Sequence, residues 1–204
     1  MLAPNSLRQH RVDHLLIAQM VAHGSRVLDV GCGDGALLQL LADTKQVDGR
    51  GIEVSRERVN ACVARGLSVI QGDADSDLAG YPDGSFDYAI LSQTLQTTRA
   101  PDVVLEHLLR IGQRAFVSFP NFAHWRVRLS LLWGGRMPVT RLLPVAWYAT
   151  PNIHHVTIDD FRALVRERNI TVEGEWFLSG DKRTTSAAAN FLAEHAIFLL
   201  QRNN

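Results

Sequence analysis

Residues 27–36 read Val27-Leu28-Asp29-Val30-Gly31-Cys32-Gly33-Asp34-Gly35-Ala36, and this stretch decides the fold. Arg26–Val30 is a short apolar run of strand character, and Asp34–Ala42 is rich in Leu at helical spacing. The glycines therefore fall where a strand feeds a helix. In an open α/β sheet that junction is where ligands bind. Glycines there let a ligand approach the backbone closely and leave amide N–H groups to meet it. Taken alone the loop is ambiguous. Gly31, Gly33 and Ala36 also satisfy a dinucleotide fingerprint, and a tight turn of this composition need hold no ligand.

Outward from the loop, short apolar runs alternate with amphipathic segments. Residues 8–22 read as a helix with Val12, Leu15, Leu16 and Gln19/Met20 on one stripe. Gly49–Val54 reads as a strand, with Ser55 as the N-cap of a helix running to Arg65. Leu67–Gln71 is a third strand, and Phe86–Leu91 a fourth after the turn Pro82-Asp83-Gly84. Asp102–Leu109 is helical and Arg114–Phe119 a fifth strand. Thr157 or Asp159 opens a helix to about Arg168, and Thr171–Phe177 and His195–Gln201 are the last two strands. This rhythm predicts an α/β fold: a doubly wound, mostly parallel, seven-stranded Rossmann-like sheet with helices on both faces. The connector Gly180 to Asn190 is small and polar, so the last two strands are expected to form an antiparallel hairpin. Such an ending is less common in nicotinamide-binding domains. The 204 residues suit a single domain over 1–204, with 120–158 as an insertion or cap.

Two further carboxylates narrow the ligand. Glu53 ends the second strand, some twenty residues past Gly33, where an acid can accept both hydroxyls of a ribose. Asp73 follows the third strand, where it can accept a hydrogen bond from an adenine amino group. Asp29 adds a carboxylate just before the first glycine. This density of acid repels a pyrophosphate and favours a cation. The set suits an adenosine head with a positive, amino-acid-like tail, although each acid taken singly could be a cap or a solvated side chain.

The succession LDVGCGDG, GIE, GDA and FDYAILSQTLQ over residues 25–119 resembles the class I S-adenosylmethionine-dependent methyltransferases. The resemblance implies that Asp29, Gly31, Gly33 and Gly35 hold the methionine part of S-adenosylmethionine (or S-adenosylhomocysteine). It likewise implies that Glu53 binds the ribose and Asp73 the adenine, with Ser92 beside the site. The segments SQTLQ, FPNFAHWRVR, GGRMPVT, WYATPNIHHVTIDDF and WFLSG are similar to the MetW proteins of bacterial methionine biosynthesis. That family is known as the companion of a MetX-type homoserine O-acyltransferase, which implies an auxiliary, cofactor-binding role beside such an enzyme. The alternative is methyl transfer to a small metabolite.

The residues themselves leave the catalytic groups for that transfer unidentified, since transfer can also proceed by proximity alone. Leu91-Ser92-Gln93-Thr94 stands where amide-methylating relatives carry an Asn-Pro-Pro-Tyr type motif, and no general base is evident there. His107 lies on an amphipathic helix and reads as structural. Cys32 is either a buried thiol or a nucleophile lacking a base. No Gly-x-Ser-x-Gly elbow and no P-loop occur, which excludes the acyltransferase itself and a nucleotide triphosphatase.

Charge is balanced, with 21 basic and 21 acidic residues, so a general electrostatic grip on nucleic acid is not expected. The balance is uneven along the chain. Asp29–Glu106 holds 13 acidic and 6 basic residues, a local net of −7. Residues 120–158 contain Arg126, Arg128, Arg136 and Arg141 and no acid, interleaved with Trp125, Trp133, Trp147 and Tyr148. Aromatic and Arg side chains are the usual anchors of protein interfaces, which makes Trp125, Arg126, Trp133, Arg136 and Trp147 candidate partner contacts. The alternative is a cap whose rings cover the sheet. Cys32 and Cys62 read as reduced thiols, and no secretory pattern or membrane-length apolar run is present, so a cytoplasmic protein is expected. His10/His14 and His154-His155 lack companion ligands, and no metal is expected.

Overall fold

The computed structural model describes residues 11–140, 143–180 and 182–202. His10, Arg141 and the start of the first expected helix lie outside them.

The elements follow in the expected alternation. Helix α1 (Val12–Met20) leads to β1 (Arg26–Val30), α2 (Ala36–Lys45), β2 (Asp48–Glu53), α3 (Arg56–Ala64) and β3 (Ser68–Gln71). Then come β4 (Phe86–Ser92), α4 (Pro101–Ile111), β5 (Gly112–Pro120) and α5 (Trp125–Gly134). The chain ends with α6 (Ile158–Glu167), β6 (Ile170–Ser179), β7 (Lys182–Arg183), a short α7 (Ala189–Leu192) and β8 (His195–Arg202). Local chemistry accounts for several boundaries. The Ser55 hydroxyl accepts the Arg58 N–H and starts α3, Thr157 does the same for α6 through Asp160 N, and Pro101 opens α4 where its missing N–H costs nothing.

The described sheet has eight strands in the order β3-β2-β1-β4-β5-β8-β6-β7. The first five are parallel; β8 runs antiparallel to both β5 and β6. The antiparallel ending is as expected, but the strand count is one higher. The two-residue β7 pairs with Leu178 and Ser179 at the tip of the β6–β8 connection. A strand that short leaves no alternation to read in a sequence.

Alternation along the strands sorts the core into two layers. Leu28, Val30, Ala89, Leu91, Val117 and Phe119 face one side, packed by α4 (Val104, Leu105, Leu108) and α6 (Ile158, Phe161, Val165). Val27, Tyr88, Ile90 and Phe116 face the other, packed by α1 (Leu16, Ile17) and α2 (Leu37, Leu40, Leu41). Each fully buried Leu or Phe contributes about 1.5–3 kcal/mol. The helix α1 keeps most of its expected stripe, with Leu16 in this second layer and Val12, Leu15 and Met20 packed against it. Its buried face is Asp13, His14, Leu16, Ile17 and Ala18, whereas Gln19 is exposed and Val12, Leu15 and Met20 are half-buried. Asp13 is buried with hydrogen-bond partners on the sheet, Ser92 and Ser118, which offset the cost of burying a carboxylate.

Residues 121–157 leave the sheet after β5 and return to α6. The Phe122 N–H donates to Val156 O, joining the two ends of the excursion. Phe122, Val127 and Leu143, with Met137 against them, form a small apolar cluster of their own. Among the described residues no helix is long and apolar enough to cross a membrane.

Candidate functional site

Strand order reverses between β1 and β4, where β1 sits between β2 and β4. At that switch point the helices depart to opposite faces and leave a crevice beyond the strand ends. A cleft of about 620 Å³ lies there, lined by Asp29, Gly31, Gly33, Glu53, Asp73 and Ser92 among others. Every expected cofactor-binding residue but Gly35 lines it. Gly35 instead stands at the N-cap of α2 with φ +74° and its N–H on Cys32 O.

The loop geometry requires its glycines. Gly31 has φ +71°, and a Cβ there would lie 2.5 Å from Thr94 Oγ1. Gly33 has φ +59° with nothing within 4 Å of a Cβ, so its backbone faces open space. The Glu53 carboxylate clamps this turn: Oε2 accepts the Gly33 N–H at 2.9 Å and Oε1 accepts the Ser55 N–H at 2.9 Å. Both anchors are backbone groups, so the acid is held rigidly at the end of β2 although it is 4% exposed.

Asp29 is 2% exposed, and its Oδ1 has no hydrogen-bond partner among the described residues. Burial, reinforced by the nearby Glu53 and Asp13 charges and opposed by Arg11, raises its carboxyl to about 7. A buried acid with an unpaired oxygen favours the neutral form more than usual and gains from ionising beside a cation.

On the same sheet face Ser92 and Ser118 are register partners on β4 and β5. Ser92 Oγ donates to Asp13 Oδ2 at 3.2 Å, and Ser118 Oγ contacts both. Arg11 bonds Asp13 and reaches Ser92 Oγ at 3.3 Å. Burial alone would raise the Asp13 carboxyl, but Arg11, with His14 and His195, holds it below the usual range. Ser92 is thus part of a buried polar network between α1 and the sheet.

Asp73 sits at the rim. Its Oδ1 accepts the Asp75 N–H at 2.9 Å, and Arg99 lies 3.9 Å from Oδ2. Asp75 in turn holds the backbone of Arg99 and Ala100.

Sequence reading missed Arg11, His14, Thr94 and Arg99, all of which line the cleft. Nothing in their local pattern distinguishes them, since they reach the site through the docking of α1 and the course of the chain after β4. Cys32 lines the cleft as well, but burial, with Asp29 next in effect, pushes its thiol far above the ordinary range, which disfavours the thiolate. Cys62 is buried and likewise reduced. His155 packs edge-to-face on Phe122, and the His154 N–H donates to Gln96 O. No group of three or more His, Cys, Asp or Glu able to hold a metal occurs among the described residues.

The candidate partner residues divide. Trp133 (77% exposed) and Trp147 (75%) project into solvent, and Arg126 and Arg136 are exposed. Trp125 is half-buried, with the Arg126 guanidinium stacked 5.2 Å from its ring centroid. The rings of Trp133 and Trp147 do not cover the sheet.

A family model described as "Methionine biosynthesis protein MetW" matches residues 11–200. The chain belongs to the MetW family. The bifunctional methionine biosynthesis protein MetXA/MetW of Rhodopirellula baltica is 34% identical over 95% of this chain and 33% of its own length. The ubiquinone biosynthesis O-methyltransferase of Xylella fastidiosa (strain 9a5c) is 32% identical over 69% of this chain and 58% of its own. The chain therefore spans a third of the first relative and under two thirds of the second. Among solved structures, a chain of the complex between the Haloferax volcanii Trm112 methyltransferase activator and a putative methyltransferase superposes with a TM-score of 0.71 at 17% identity. That match covers 97% of this chain and 92% of that one. The chain also shares its fold with a SAM-dependent methyltransferase from Archaeoglobus fulgidus, with a TM-score of 0.69 at 12% identity over 97% of this chain and 94% of that one.

Proposed function

We propose that this chain is an S-adenosylmethionine-binding auxiliary subunit of a MetX-type homoserine O-acyltransferase. The observation that carries the cofactor reading is Asp29: a buried carboxylate lining the cleft with an unpartnered oxygen. An orphaned acceptor of that kind fits a cationic ligand group. The residues present suit the whole ligand. Asp29 and Arg11 would take the ammonium and carboxylate of the amino-acid tail. The loop Gly31–Gly35 would leave room for its approach, Glu53 would accept ribose hydroxyls, and Asp73 at the rim would accept the adenine amino group. Ser92 would position Arg11 through the network it shares with Asp13. When bound, the ligand would supply an electrophilic methyl group.

The partner reading rests on the Rhodopirellula relative, whose name joins MetXA and MetW in one bifunctional protein, and on Trp133, Trp147, Arg126 and Arg136 exposed on an acid-free segment. A single domain with residues 120–158 as its docking cap accommodates both sites. A ligand in the cleft can regulate a partner only if it binds the docked and free states unequally, and the coupling is reciprocal. The test is calorimetric titration of S-adenosylhomocysteine into this chain with and without the acyltransferase of the same host. Unequal affinities support sensing, and equal affinities leave only activation by contact.

The second reading, methyl transfer to a small metabolite, is favoured by the similarity to a named O-methyltransferase. It requires release of S-adenosylhomocysteine with some acceptor.

A further inference from the structure

Helix α5 turns its apolar side outward. Of its ten residues only Val127 is buried, whereas α4 buries five of eleven. Trp125, Leu129, Leu132 and Trp133 stand at i, i+4, i+7 and i+8, the spacing of one helical stripe. Val127 lies two residues past Trp125, about 200° round the axis. The stripe therefore faces away from the side that packs on Phe122 and Leu143. Leu132 is 75% exposed and Trp133 77%, while Trp125 and Leu129 are half-buried. A single exposed Leu is ordinary; a stripe of four on one helix face marks a contact surface.

The charges beside the stripe are held in place. Arg128 is four residues from Leu132 and Arg126 seven from Trp133, so the two flank the stripe on opposite sides. The Arg126 guanidinium stacks 5.2 Å from the Trp125 ring centroid. That of Arg128 lies 5.6 Å from the Phe191 centroid, and its Nε donates to Ala123 O at 2.6 Å. Neither pairs with a carboxylate among the described residues, and no acid occurs between 120 and 158. Guanidinium groups fixed in this way select carboxylates, which they can grip with two parallel bonds. A second copy of the chain meeting this stripe about a two-fold axis would set Arg against Arg. A lipid surface attracts chains of net positive charge, and this one has none. A protein groove with an apolar floor and acidic rims answers both the stripe and its flanks, since grooves of that kind read a helix through anchors at i, i+4 and i+7.

We propose that α5 is the inserted element of the partner contact: its stripe enters an apolar groove on the acyltransferase whose two rims carry carboxylates for Arg126 and Arg128. The inference rests on the partner reading above and narrows it to one helix. It does not depend on the adenosyl reading of the cleft.

The experiment measures binding of the full chain to the immobilised homoserine O-acyltransferase of the same host at low and high salt. Leu132→Gln keeps a good helix former at an exposed position, so it is expected to melt with the parent protein and to bind at least about tenfold more weakly. Arg126→Glu is expected to weaken binding by a similar factor and to flatten its salt dependence. Val63→Ser, at an exposed apolar position on α3, is expected to leave binding unchanged. Hydrogen exchange of the α5 amides is expected to slow in the complex. No binding by the parent protein overturns the partner reading and this inference with it. Binding by the parent protein that Leu132→Gln leaves intact, or α5 amides that exchange as fast as in the free chain, overturns this inference alone. So does capture of the chain by phosphatidylglycerol vesicles that Leu132→Gln abolishes, or a dimer of the chain by itself that Leu132→Gln dissociates.

Discussion

Glu53 Oε2 accepts the backbone N–H of Gly33, twenty residues earlier in the chain, at 2.9 Å. One carboxylate therefore shapes the glycine turn and faces the cleft, while its other oxygen starts the chain toward α3 through Ser55. Glu53→Ala removes a charged acceptor from both roles. It is expected to weaken S-adenosylhomocysteine binding by about 1–3 kcal/mol, measured by calorimetry on protein shown to be folded by circular dichroism.

Asp29 makes ligand affinity depend on pH. Its carboxyl is raised from 3.8 to about 7 by burial, with Glu53 and Asp13 adding to the shift. A cationic ligand favours the ionised form, so a proton must leave when the ligand binds below pH 7. Affinity is expected to rise with pH, by up to about tenfold per unit below pH 7, and to level off above it. Titrations in two buffers of different ionisation enthalpy measure the proton released.

The same shift sets a stability trend. Between about pH 4 and 7 the folded chain keeps a proton on Asp29 that the unfolded chain has lost, so this group's contribution to stability falls as pH rises through that window. Asp29→Asn is expected to raise the melting temperature of the ligand-free protein at pH 8 and to lose that advantage near pH 4. A scan of melting temperature against pH checks the crossover.

The two glycines should respond differently to Ala. At Gly31 the new methyl meets Thr94 at 2.5 Å with φ +71°, so folding is expected to suffer by more than the left-handed conformation alone costs, about 1–2 kcal/mol. At Gly33 there is space, so only that conformational cost applies, while the methyl stands in the cleft. Gly33→Ala should melt a few degrees below the parent protein and above Gly31→Ala, yet bind S-adenosylhomocysteine poorly. Melting curves and titrations on the two variants separate these outcomes.

On the excursion, Trp133→Ala and Trp147→Ala are expected to weaken binding to a homoserine O-acyltransferase by about 2 kcal/mol each, with little change in melting temperature because both rings are exposed. Trp125→Ala removes a half-buried ring stacked with Arg126 and is expected to cost stability as well. Biolayer interferometry against the immobilised acyltransferase, alongside thermal melts, measures both.

The amino-acid order by itself determined the alternation of strands and helices, the cap at Ser55, the glycine turn after β1 and the acids at the ends of β1, β2 and β3. Each is set by neighbours a few residues apart: apolar period, N-cap hydroxyls and glycine backbone freedom. Only the tertiary structure decided which side of α5 faces outward, that Arg11 and Asp13 reach Ser92, and that Glu53 holds Gly33. Those contacts join groups 20 to 81 positions apart. Their partners are selected by how α1 docks on the sheet and how the 121–157 excursion folds back, and both depend on packing across the whole core, which no local pattern encodes.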